Sequence, residues 1–569
     1  VVRDQSDDRP DGEICPTGIE GFDGALFGGL PLGRTTVIIA PPGSGKTKLA
    51  LQFLVNGVLR YGEPGLMVTF EESPAMLATA MTALGLPPES ALAADLHVID
   101  GRPTLDALAG GAFDIGGLVA IVAADIARFG IRRAAFDGFD ALFALGGRSD
   151  MTGIEFRRLV ALTDAADVTS LVTVKPGASS DELPHRFHSI EYAADAVVRL
   201  GYRMTEGLLQ RLMRIVKVRN AGFASGELPF IISAHGLDIA YTPAIKVPAA
   251  LSNERASTGV PQLDAMLEGG LLRNSTTLVS GLPGTAKSTI GASFLAAGLA
   301  RGERCMLVAL DEPAAQLMAN VRSVGIDIAA YEATGELAAL SLNPNGAIAD
   351  DHYLRIERFA RLHRPTLLVI DPISAFEEAG GREVAQLVVE RFATFVKSHG
   401  ITAIFTAIAS SQIAEIEGTA GHVSSIADSW IHLNFAVKGG ERNRTLTIVK
   451  SRGTAHSNQL REMVLGSGGI TLQDVYQIQG EFLVGTARLE REQEEKRAQQ
   501  FRELRERNEQ RKLEERQETV RARLRDAQRE LDEISERMTA GAAENELFEA
   551  GALLDRSEVL IQRGGNTIE

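Results

Sequence analysis

The sequence predicts an α/β protein of two tandem domains, each a mostly parallel sheet covered by helices, followed by a C-terminal helical coiled coil. Three observations predict it. The stretch TGIEGFDGALFGGLPLGRTTVIIAPPGSGKT, beginning at Thr17, returns at Thr258 as TGVPQLDAMLEGGLLRNSTTLVSGLPGTAKS. Each copy then alternates short apolar runs with helical patterns, the signature of a parallel sheet with crossover helices. From about Leu489 the composition turns to Glu, Arg and Gln, and Val520, Leu524, Ala527, Leu531, Ile534 and Met538 recur in steps of four and three, a coiled-coil seam.

The repeat keeps register. Lys46 and Lys287 are separated by 287 − 46 = 241 positions, as are Thr17 and Thr258, and Asp23 and Asp264. The echo continues: LMVTFEESP with MLVALDEPA, AAFDGFDALF with LVIDPISAF, IVKVRNAG with IVKSRGTA. Internal repetition on this scale marks duplicated domains. The expected boundaries are 10–245 and 246–480, joined by YTPAIKVPAALSNERAS, then a coiled coil over 481–540 and a tail over 541–569, of which the last residues, LIQRGGNTIE, read as loose.

Within each copy the elements follow in order. TTVIIA is a buried strand; a glycine loop follows, then a helix starting near Lys46. GLMVTF is a second strand, and RRAAFD and TLLVID are strands that end in aspartate. Continuous apolar runs of this kind belong to parallel sheets covered on both faces. Functional side chains then gather at the carboxyl ends of the strands.

Composition narrows the function. The chain has 569 residues, 45% of them hydrophobic, and a net charge of −16. That charge disfavours nonspecific binding to nucleic acid or anionic membrane. A DNA-handling role is therefore not expected. Cys15 and Cys305 match no metal or redox spacing and read as reduced core residues. No apolar run approaches the ~20 residues of a membrane span and no signal peptide is visible, so a cytoplasmic protein is expected.

The glycine loops carry the chemistry. In such a loop successive backbone N–H groups converge on phosphate oxygens at a helix N-terminus. Lysine reaches the terminal phosphates, and a hydroxyl binds magnesium. The first loop supplies Gly43, Ser44, Gly45, Lys46, Thr47 and Lys48; the second supplies Gly284, Thr285, Ala286, Lys287, Ser288 and Thr289. Both point to ATP with Mg2+. Ala286 stands where the pattern wants glycine. If the position needs positive φ, alanine costs about 1–2 kcal/mol, and its methyl is expected to crowd the phosphates. The expectation is a weakened site still occupied at cellular ATP; a second repeat kept only for structure is the alternative.

Asp137 and Asp371 end apolar strands, the usual place for a magnesium-directing aspartate beside Thr47 and Ser288. Glu71 and Glu72, and Asp311 and Glu312, end the preceding strand, where an acid can orient or deprotonate the attacking nucleophile. A helix cap is the plainer reading of EESP. The basic pairs Lys217/Arg219 and Lys450/Arg452 alternate on a strand, so each pair projects to one face, suited to phosphates offered across a subunit boundary. A surface salt bridge is the plainer reading.

Two domains with glycine loop, acidic pair, aspartate strand and K-x-R strand resemble the circadian clock protein KaiC family over about residues 10–480. The resemblance implies two RecA-like P-loop NTPase domains and a double-ringed homo-hexamer with ATP bound between neighbouring subunits. It implies an ATPase first ring, and a second ring that phosphorylates and dephosphorylates two adjacent hydroxyl residues. Ser424 and Ser425, in GHVSSIADSWIHLNF, fall on those acceptors, with Ser-Ser replacing Ser-Thr. Glu71 and Glu72 fall on the water-handling pair. Asp311 and Glu312 fall on the pair serving the kinase ring, Asp311 shorter than the family's glutamate and Glu312 the better base. Lys217, Arg219, Lys450 and Arg452 fall on the trans-acting basic residues, while Phe223 stands where a histidine often follows the first pair. The resemblance also implies a KaiB-like partner on the first ring; the coiled-coil extension is suited to joining two hexamers into a dodecamer, and, since the family's tail receives KaiA, it speaks against dependence on KaiA. A nucleotide-sensing scaffold without kinase turnover is the competing reading, favoured by Ala286 and Asp311.

Overall fold

A computed structural model describes residues 13–93, 95–102, 115–143, 149–176, 188–205, 207–242, 253–408, 426–438, 440–478 and 481–562. The chain divides into a compact unit up to Val475 and a second unit from Tyr476.

The first unit contains two nine-stranded sheets. Strands β1 (Thr35–Ile39), β2 (Gly65–Thr69), β3 (Leu96–Asp100), β4 (Arg133–Asp137), β5 (Thr169–Val174), β6 (Ala196–Thr205), β7 (Leu208–Val218), β8 (Glu227–Ser233) and β9 (Gly236–Ile239) lie in the order β9-β8-β7-β6-β1-β5-β4-β2-β3. The second sheet has β10 (Thr276–Gly281), β11 (Cys305–Ala309), β12 (Leu337–Ser341), β13 (Leu367–Asp371), β14 (Thr402–Ile408), β15 (Ser429–Lys438), β16 (Glu441–Ser451), β17 (Arg461–Gly466) and β18 (Gly469–Asp474). Its order, β18-β17-β16-β15-β10-β14-β13-β11-β12, repeats the first strand for strand. In both, the glycine loop leaves the central strand, β1 or β10, with parallel neighbours on either side. The last three pairings, from β6 through β9 and from β15 through β18, are antiparallel. The expected α/β class and RecA-like tandem are what the chain adopts.

The central strands read as unbroken apolar runs because both faces are covered. Ile38 packs into one core layer of the first domain, and Val37 and Ile39 pack into the other. The helices that matter for the sites are α1 (Lys46–Asn56), α2 (Pro74–Ala83), α3 (His188–Ala193), α4 (Lys287–Leu299), α5 (Ala314–Arg322) and α6 (Ala349–His363).

The two domains share a core layer. Ile231 on β8 and Ala240 just after β9 are buried in the cluster built mainly by the second domain around α6. Arg358 on α6 donates to Asp238 at 2.9 Å, and Arg361 one turn later donates to Glu20. Burying the Ile231 side chain is worth about 1.5–3 kcal/mol, so apolar packing rather than the half-exposed ion pairs holds this contact.

The second unit pairs Tyr476–Ile478 with Glu481–Leu483 and continues into α7, Thr486–Gln562. This helix runs past residue 540, where the coiled coil was expected to end, and through most of the tail segment. Ala, Glu and Leu dominate there, all strong helix formers. Seam residues Val520, Leu524, Leu531, Ile534 and Met538 are exposed along it.

Candidate ATP sites

Each glycine loop is built the same way. Ser44 Oγ donates back to Pro41 O at 2.6 Å, and Thr285 Oγ1 to Leu282 O at 2.7 Å, pinning the turn. Gly43 and Gly284 take φ of +79° and +80°. The next-but-one positions, Gly45 at φ +99° and Ala286 at φ +75°, are the left-handed residues immediately before the helices. Ala286 therefore carries the strain expected of a non-glycine there, about 1–2 kcal/mol. Ala286 packs against the core of its own domain, and a Cβ built on Gly45 would meet Ile232 and Phe230 on β8.

The lysines behave differently in the two sites. Lys46 Nζ lies 3.0 Å from Glu71 Oε2 and 3.9 Å from Asp137 Oδ1. Burial pulls its pKa down, but Asp137 and Glu71 outweigh that and raise it. Lys287 instead donates to Gly281 O at 2.9 Å and Leu282 O at 3.1 Å, carbonyls of its own loop. Burial lowers its pKa, and Asp371 and Asp311 only partly oppose it.

The aspartates end β4 and β13 as expected. Asp137 is fully buried and accepts from Thr47 Oγ1 at 2.8 Å and Thr173 Oγ1 at 2.7 Å. Asp371 accepts from Thr406 Oγ1. The hydroxyls of Thr173 and Thr406 were not singled out from sequence, though the matched LVTV and IFTA strands carry the signal. Ser288 occupies the first turn of α4, as Thr47 does of α1. Lys48 and Thr289 follow, half-buried. No group of three His, Cys, Asp or Glu side chains forms a metal cage among the described residues. A hydroxyl with one buried carboxylate suits Mg2+, which keeps waters and takes the rest of its shell from substrate phosphates.

The acids sit over these loops. Gly138, at φ +78°, lets Glu71 Cγ lie where a Cβ would be only 2.5 Å away. Lys175 Nζ also donates to Glu71, and hydrogen bonds from Lys175 and Lys46 override burial to lower the Glu71 pKa. Burial, then Asp137, raises Glu72. In the second site burial is again the largest cause, with Asp371 next, and both Asp311 and Glu312 are raised. Asn320 on α5 donates to Glu312 at 3.0 Å. The cap of α2 is Ser73, accepting from Met76 N at 3.3 Å, so neither glutamate serves as the N-cap.

Lys217 donates to the carbonyls of Glu191 at 3.0 Å and Ala194 at 2.7 Å, and Arg219 to Tyr192 O at 2.6 Å. Together they cap the C-terminus of α3, where cations are favoured. Lys450 is the last residue but one of β16 and Arg452 follows the strand, both near Asp428, which also binds Lys397 at 2.9 Å. Ser424 and Ser425 lie outside the described residues. Among those residues no helix is long and apolar enough to cross a membrane.

Comparison with known proteins agrees with this geometry. The KaiC ATPase family matches the chain twice, over residues 15–243 and 256–477. A circadian clock protein KaiC2 from Synechocystis sp. is 35% identical over 506 residues, 88% of this chain and 89% of that protein. A circadian clock oscillator protein KaiC from Parathermosynechococcus lividus is 32% identical over 464 residues, 81% of this chain and 85% of its own length. One from Prochlorococcus marinus is 31% identical over 463 residues, 81% and 93% respectively.

Proposed function

This chain belongs to the KaiC family of ATPases, and from that premise we propose that its first domain hydrolyses ATP while its second is a serine autokinase and autophosphatase, working as a homo-hexameric ring in timing-type signalling. The observation that carries the reading is the duplicated site. Two sheets of identical strand order place a lysine, a hydroxyl, a strand-end aspartate and an acidic pair at the same points.

In the first domain Glu72 takes a proton from the attacking water as its oxygen bonds the γ-phosphorus. The bond to the bridging oxygen breaks, and ADP and phosphate leave. Its raised pKa makes Glu72 a better proton acceptor than Glu71. In the second domain Glu312 takes the proton of a serine hydroxyl at Ser424 or Ser425, the serine oxygen bonds the γ-phosphorus, and ADP leaves. Thr47 with Asp137, and Ser288 with Asp371, are the residues to hold Mg2+, which when bound neutralises charge on the phosphate oxygens. Lys217, Arg219, Lys450 and Arg452 serve the neighbouring subunit's nucleotide. The exposed seam of α7 joins two hexamers into a dodecamer. A KaiB-like protein is the partner proposed for the first ring, KaiA is not required, and the protein is cytoplasmic.

The scaffold reading, in which the second domain binds ATP without turnover, is favoured by one observation: Lys287 is folded onto the carbonyls of its own loop. Intact mass with peptide mapping after incubation with Mg-ATP separates the two. Phosphate on Ser424 or Ser425, lost in Lys287→Ala, supports the autokinase. Absence of phosphate while ATP is still hydrolysed selects the scaffold.

A further inference from the structure

We propose that Lys175 is a positioning residue of the first nucleotide site: it neutralises Glu71 and so releases Lys46 to the phosphates of incoming ATP. The inference rests on the ATPase reading of the first domain.

Glu71 is held from both sides. Lys46 Nζ meets Oε2 at 3.0 Å, and Lys175 Nζ meets Oε1. Lys175 follows β5 directly, and its main-chain N–H donates to Asp140 Oδ1 at 3.0 Å, so its backbone is fixed beside the loop. Glu71, Glu72, Asp137 and Asp140 already crowd this corner with carboxylates. Burial raises the pKa of Asp140, and the neighbouring Glu71 raises it further.

A triphosphate adds negative charge here and needs the Lys46 ammonium. Without another partner, Glu71 would be left as an uncompensated, half-buried carboxylate next to that charge, an arrangement that costs both desolvation and repulsion. Lys175 removes that conflict. It holds Glu71 as a paired carboxylate and leaves the Glu72 carboxylate as the base that takes the proton.

The second domain shows the contrast. Val174 pairs with Ile39 on the central strand of the first sheet, and Ala407 pairs with Ser280 at the equivalent place in the second. The residue after Val174 is Lys175; the residue after Ala407 is Ile408, half exposed. Lys287 is not engaged with Asp311, whose carboxylate has no ion-pair partner among the described residues. A clamp on the acid is present only where the loop lysine is tied to it.

The test is titration of the full chain carrying Lys287→Ala, which silences the second loop, with a fluorescent ATP analogue and Mg2+. Lys175→Met is expected to weaken binding about tenfold, the scale of losing one charge-assisted pair. Lys175→Arg should bind within about twofold of the parent, since it keeps the charge. The double variant Lys175→Met with Glu71→Gln should return to near parental affinity, because the charge needing compensation is gone. A merely structural lysine would not be rescued by a change at Glu71. Unchanged binding in Lys175→Met, or failure of Glu71→Gln to restore it, overturns the proposal. A parent that binds no nucleotide overturns the ATPase reading itself, and the proposal with it.

Discussion

Gln210 Nε2 of the first domain donates to Asp350 Oδ2 of the second at 2.7 Å, and both side chains are buried. Asp350 also accepts from Arg391. Burial pushes its pKa up, opposed by Arg391, by the Gln210 hydrogen bond and by the charge of Arg203. The contact lies at the N-terminus of α6, the helix whose other end carries Arg358 and Arg361 to Asp238 and Glu20. One helix of the second domain thus touches the first domain from its first turn to its last, through Asp350, Arg358 and Arg361.

Gln210→Ala should therefore destabilise the whole unit rather than one domain. Leaving part of a buried carboxylate unpaired costs about 1–3 kcal/mol. Urea denaturation of the variant should show one transition at a lower midpoint; an unchanged midpoint would show that water replaces the amide without cost.

Ala286→Gly should stabilise the second domain. The left-handed φ of +75° is strained for alanine, and glycine relieves about 1 kcal/mol of it, less a little for the methyl's packing and for the freer unfolded chain. Since Ala286 packs against the core of its domain, nucleotide affinity at the second site should change by less than about threefold. A much larger gain in affinity would mean the methyl does obstruct the phosphates.

Asp351 gives stability a pH dependence. Burial pushes its carboxyl up to about 6, and Asp350 adds to the shift while Arg355 and Arg211 oppose it. The unfolded value is about 3.9, so the native state holds the proton more tightly between roughly pH 4 and pH 6. The favourable contribution is complete below the unfolded value and is lost as pH rises through about 6. The loss is of order 2 kcal/mol, allowing for a side chain that is not fully enclosed. Asp351→Asn should be more stable than the parent at pH 8 and should lack this slope, as measured by denaturation midpoints from pH 4 to 8.

The seam on α7 should decide assembly size. Leu524 and Leu531 are 58% and 67% exposed on a helix whose charged faces carry pairs such as Arg511–Glu515 at 3.4 Å. Aspartate at both positions should leave ATP hydrolysis intact and reduce the particle mass measured by light scattering, to half if α7 joins two rings. An unchanged mass would place the seam outside the assembly contact.

Much of the fold was legible because it rests on local rules. The 241-residue register of the two loops, the apolar runs ending in Asp137 and Asp371, and the switch to Glu, Arg and Gln near Leu489 each follow from patterns a few residues long. α7 continues beyond the seam because the seam fades after Met538, whereas helix propensity does not. The sites were legible as lists of residues and less so as arrangements. Lys175 carries no motif, and nothing nearby in sequence links it to Glu71, 104 positions earlier. The K-x-R pair at Lys217 and Arg219 was visible, but not its grip on the carbonyls closing α3.

By itself the sequence determined the duplication, the two phosphate loops with their lysines and hydroxyls, the strand-end acids and the helical extension. These depend on spacing along the chain, and backbone geometry converts spacing directly into position. The tertiary structure alone decided which cation meets which carboxylate. Lys46 pairs with Glu71 while Lys287 turns to its own loop, and Ala286 packs against the core. Such choices follow from burial and from what neighbouring strands bring alongside, as Lys175 and Ile408 show, and only the folded sheet sets those neighbours.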